Sequence, residues 1–176
     1  MKTTKRLTIS AVLLALGLIL PFFTGQIQAI GNKLLPMHIP ILICGFVCGW
    51  KYGLMVGFMT PLLRSLLFSM PAPINAICMA FELATYGATS GLIYQKAKRS
   101  PFRIYLSLLA AMLTGRIVWG CICMLVYGLS QSAFTWQMFC GGALINAIPG
   151  IAVQLVLIPI IILALEKAGA MEINDK

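Results

Sequence analysis

The run Ile104–Tyr127, IYLSLLAAMLTGRIVWGCICMLVY, decides the class of this molecule. It holds 24 residues and one charged side chain, Arg116. About 20 apolar residues suffice to cross a bilayer as a helix. A charge near the bilayer centre costs at least about 2.5–3.5 kcal/mol. Arg116 must therefore face protein, a partner charge or a water-filled cavity, and the run reads as one member of a helix bundle.

The rest of the chain agrees. Of its 176 residues 60% are AVILMFWYC and 10% are charged, with a mean hydropathy of +0.96. Soluble domains carry roughly 25% charged residues, and a disordered chain cannot be this apolar. Apolar runs delimit six spans, at 7–23, 37–50, 52–69, 76–95, 104–127 and 141–165. The reading is an all-α, polytopic membrane protein with six transmembrane helices in one domain, 1–176. The second span is short and contains Pro40, so irregular or shielded geometry is expected there. Lys2, Lys5 and Arg6 before Leu7–Phe23 imitate a secretory signal, but the run is long and no A-x-A site follows closely. It reads as a retained first helix.

The net charge is +9. In a soluble protein this would suggest nucleic acid; here the cations cluster at span ends, and no nucleic-acid partner is expected. With six spans, Lys2, Lys5, Arg6, Lys51, Lys96, Lys98, Arg99, Arg103, Lys167 and Lys176 share one side, against Lys33 on the other. The positive-inside rule then places both termini in the cytoplasm and the protein in the cell membrane. Cys44, Cys48, Cys78, Cys121, Cys123 and Cys140 lie in or beside apolar runs without metal-ligand spacing, and read as buried thiols. No metal or cofactor is expected.

Arg64, Glu82 and Arg116 lie inside spans. By depth they gather with His38, Asn75 and Asn146 in the outer half of the membrane, describing a pocket open to the outside. Arg64 and Glu82 read either as an interhelical ion pair or as part of a ligand site. Two guanidiniums against one carboxylate leave positive charge over, which points to a carboxylate or phosphate ligand. Trp119 shares the Arg116 face, and Trp136 lies in an outer loop; either suits stacking on a flat ligand or simple anchoring. Ala11 and Ala15 in the first span, Gly53/Gly57 and Gly87/Gly91 have the four-residue spacing that lets helices approach closely. A P-loop and the common hydrolase motifs are missing, so enzymatic activity is not expected.

The A-x-x-x-A of Ala11/Ala15, and Leu34-Leu35-Pro36-Met37-His38-Ile39-Pro40 leading into Gly45, Gly49 and Gly53, carry a resemblance. The chain resembles the substrate-binding S-component of energy-coupling factor (ECF) vitamin transporters. That resemblance implies capture of a vitamin or related nutrient from outside, and association with a transmembrane coupling subunit and two ATPase subunits. It implies that the chain topples in the membrane to release its substrate, and that Ala11 and Ala15 touch the coupling subunit. It also implies a pocket built from the first outer loop and the later spans. Within such a family the positive pocket leans to an anionic vitamin such as pantothenate. The competing reading is a stand-alone proton-linked carrier or channel using Glu82.

Overall fold

The computed structural model describes residues 3–24, 34–97, 102–129, 141 and 147–169. Among them the chain forms six α-helices and no strand, as expected of an all-α protein. They are α1 (Thr3–Ile19), α2 (His38–Cys48), α3 (Trp50–Phe68), α4 (Pro73–Lys96), α5 (Phe102–Leu129) and α6 (Ile148–Lys167). A 3-10 turn, Leu20–Thr24, continues α1.

Four helices are long and apolar enough to cross a membrane: α1 with its continuation, α4, α5 and α6. Helix α2 has only 11 residues, and the 19-residue α3 carries Lys51 and Arg64. The short second span is thus a regular helix. Pro40 lies in its first turn, where no N–H is needed for the ladder. Eight of its residues are buried among its neighbours, so its backbone is shielded by protein. The sixth helix starts at Ile148, later than the expected 141, with Pro149 in its first turn.

Successive helices run antiparallel. Ser10 and Gly17 of α1 meet Cys44 and Pro40 of α2 in reverse order. Gly53 and Gly57 of α3 meet Gly87 and Leu83 of α4 in the same reversed sense. This arrangement brings Lys5, Arg6, Lys51, Lys96, Arg103 and Lys167 to one end of the bundle, called here the basic end. His38, Arg64 and Asn75 lie toward the other, the Asn75 end.

Without water between helices, close backbone approach supplies the packing energy. A methyl placed on Gly53 would lie 2.5 Å from the Gly87 carbonyl oxygen and 2.8 Å from the Cα of Gly45. The glycine pairs noted in the sequence are therefore the seam where α2, α3 and α4 converge. Helix α4 is the most enclosed of the long helices. It packs against α2, α3 and α5, and this centrality places Glu82 and Tyr86 in the interior.

Candidate functional site

The largest apolar cluster joins Leu42 of α2, Tyr86 of α4, Met112 of α5 and Ile158 of α6. One helical turn, four residues, separates each of these from a polar residue. Moving toward the Asn75 end, Leu42 leads to His38, Tyr86 to Glu82, and Ile158 to Gln154. On the antiparallel α5, Met112 leads to Arg116. Residues four apart lie on one helix face. An apolar floor thus carries a polar layer drawn from four helices.

The layer is deeply buried: His38 and Gln154 are 1% exposed, Glu82 2% and Arg116 12%. Arg116 Nη1 lies 2.8 Å from Glu82 Oε1, and His38 Nε2 lies 3.5 Å from the same oxygen. The His38 ring stands edge-on to Tyr86, with centroids 5.0 Å apart. Its backbone N–H donates to the carbonyl of Leu35, which holds a left-handed φ of 50°. For a leucine this conformation costs about 1–2 kcal/mol, so packing enforces the turn that sets His38 in place. Gly115 leaves room for the Tyr86 ring against α5; a methyl there would collide with it.

The layer does not close on itself. Among the described residues eight buried side-chain polar atoms lack a hydrogen bond, and seven belong to it. They are both ring nitrogens of His38, Oε1 of Glu82, Nε and Nη2 of Arg116, and both amide atoms of Gln154. Leaving such a group unpaired costs about 1–3 kcal/mol. Glu82 Oε1 and His38 Nε2 still face the charged partners given above; the other five atoms of the layer have no hydrogen bond. Nε and Nη2 form one edge of the guanidinium, the fork that grips two acceptor oxygens side by side. Glu82 occupies the opposite part of the group and leaves that edge free.

The structure brings together Arg116, Glu82 and His38 of the residues singled out in the sequence, and separates Arg64 from them. Glu82 pairs with Arg116, not with Arg64. Arg64 is 3% exposed and donates from Nη1 to the Leu18 carbonyl at the end of α1. The reason is local: Pro21 has no N–H, so that carbonyl lacks the donor of a 3-10 turn. Phe22 and Phe68 flank the guanidinium, with centroids 4.9 and 5.5 Å away. Arg64 thus pins the end of α1 to α3. The surplus charge expected from two neighbouring arginines does not arise in the layer.

Asn75 lies two turns from Glu82 toward its own end and accepts a hydrogen bond from Tyr127 at 3.1 Å. Trp119 is half-buried one turn beyond Arg116. Asn146 and Trp136 lie outside the described residues. Ala11 and Ala15 are exposed, on the side of α1 opposite the buried Leu13 and Gly17.

Two features escaped sequence reading. Gln154 stands alone as a polar side chain inside the apolar run Ile148–Leu165, and that isolation was the available signal. Arg103, counted with the loop cations, is 8% exposed and bound to Glu166. Its guanidinium also donates to Tyr94 at 3.2 Å and lies 4.3 Å over that ring. The Tyr94 hydroxyl donates to Glu166 in turn.

The chain matches the family model described as ECF transporter, substrate-specific component, over residues 5–162. No curated protein and no solved structure gives a match. With nine-tenths of its length matched, this multi-pass membrane protein belongs to the ECF transporter substrate-specific component family, whose members bind a small-molecule substrate and associate with coupling and ATPase subunits.

Proposed function

We propose that the chain captures a small anionic, vitamin-like nutrient at the polar layer, from outside the cell, for ATP-driven uptake. The observation that carries this reading is the Nε/Nη2 edge of Arg116, buried without a hydrogen bond among the described residues. It suits a carboxylate, and pantothenate is one nutrient of that kind. Glu82, itself contacted by His38, holds the guanidinium in place, and Trp119 and Asn75 lie between the layer and the Asn75 end.

The ten-to-one distribution of cations over six spans supports cytoplasmic termini, with the Asn75 end outside. Exposed Ala11 and Ala15 are the surface offered to the coupling subunit, and two ATPase subunits supply the energy. No cofactor takes part, and the chain itself performs no catalysis.

The test is equilibrium binding of a vitamin panel to the purified chain. Anionic members are expected to bind saturably, and Arg116→Ala to weaken them at least about 100-fold, the loss of a buried charge-assisted pair. Unchanged affinity would return Arg116 to a purely structural role. Ala11→Leu with Ala15→Leu is expected to leave binding intact and to prevent co-purification with the coupling and ATPase subunits. Uptake by the chain alone in liposomes would instead favour a stand-alone carrier acting through Glu82.

A further inference from the structure

The Gln154 side chain is the least accounted for group in the polar layer. It sits on α6, one turn from Ile158, and Ile158 packs in the cluster that includes Tyr86 and Leu42. It is 1% exposed, and neither Nε2 nor Oε1 has a hydrogen-bond partner. A leucine would fill the same space in this apolar helix without the cost of burying an unpaired amide. An amide presents one donor and one acceptor side by side, and a group that satisfies both at once carries its own N–H and C=O on the same side: a lactam, a cyclic ureido group or a primary amide.

We propose that Gln154 is a specificity-determining residue that reads such an edge on the substrate, so that the ligand is a carboxylic acid also bearing a lactam, cyclic ureido or primary amide group. This rests on the binding role given above to the Arg116 layer. The two recognition elements lie on α5 and α6, helices that contact each other directly. One molecule spanning the layer meets both: its carboxylate on the free guanidinium edge, its amide on Gln154. Hydrogen bonds to a substrate N–H discriminate strongly, because an analogue lacking the group leaves the protein's own buried atom unpaired.

The experiment measures affinities of the purified full chain for biotin and folate, each beside an analogue whose ureido or lactam N–H is replaced by oxygen or N-methyl, and for pantothenate, whose trans amide lacks such an edge. Biotin or folate is expected to bind, and its altered analogue to bind at least about 10-fold more weakly, the cost of an unmet buried hydrogen bond; capture of pantothenate alone overturns the proposal. Gln154→Leu is expected to remove that preference while the preference for the acid over its methyl ester, read through Arg116, persists. Gln154→Glu, which keeps shape and acceptor but loses the donor, is expected to weaken the parent acid; it also guards against a misfolded leucine variant. Equal binding of parent and analogue by the wild type overturns the proposal, as does a preference retained in Gln154→Leu. Capture of thiamine or riboflavin with none of the acids overturns this inference and the anionic reading, yet leaves substrate capture standing. Binding of nothing in the panel overturns both this inference and the function proposed above.

Discussion

Two arginines of α5 meet two glutamates in this molecule, and the two meetings differ. At the basic end Arg103 and Glu166 are closed by Tyr94, which accepts from the arginine, donates to the glutamate and offers its ring face to the guanidinium. Midway along the bundle Arg116 and Glu82 share an oxygen with His38, and unpaired nitrogens surround them. The first cluster sits near the edge of the bundle, where Glu166 retains 18% exposure; the second is deeper and carries more unmet polarity. A pair with no buried atom left unbonded is an internal fastening. A deeper pair left half-engaged costs stability, and a binding role gives that cost a reason.

The largest expected effect separates the clusters by function. Arg116→Met is expected to abolish nutrient capture and also to destabilise the fold, because Glu82 is left buried without its partner; such losses run to about 3–5 kcal/mol. Adding Glu82→Leu is expected to recover most of the thermal stability in detergent and none of the binding. Recovered binding in the double variant would erase the distinction.

Glu166→Gln comes next. It is expected to lower stability by about 1.5–3 kcal/mol, the range for hydrogen bonds to charged groups, with ligand affinity unchanged. A collapse of affinity would mean that the basic-end cluster also serves the site. Arg64→Met is expected to cost about 1–2 kcal/mol through the lost carbonyl contact and the two aromatic faces, again without altering ligand preference. The smallest effect is that of Tyr94→Phe. It removes one hydroxyl and keeps the ring, and is expected to cost about 0.5–1.5 kcal/mol in the unfolding midpoint.

Much of the architecture was legible because lipid imposes a simple demand. Apolar runs must be helical, and charges inside them must find protein. Arg116 and Glu82 announced themselves in this way, and the glycine pairs foretold the seam at α4. Arg64 obeyed the same demand with a different answer. It serves a carbonyl to which Pro21, forty-three positions earlier than Arg64, can offer no N–H. That pairing depends on where α1 ends against α3, which hydropathy does not encode. Gln154 was passed over because an uncharged amide barely lowers the apolar signal of its run, although burial makes it costly.

Composition and periodicity alone settled that this chain is a helical membrane protein, where its apolar segments lie, and which ionisable groups lipid could not tolerate. The tertiary arrangement decided which of those groups meet. Side chains four apart share a face within one helix, but which faces of separate helices turn toward each other depends on close glycine contacts and antiparallel order, set only when the bundle assembles. For that reason the Arg116–Glu82 pairing, the diversion of Arg64 and the entry of Gln154 into the polar layer belong to the folded molecule.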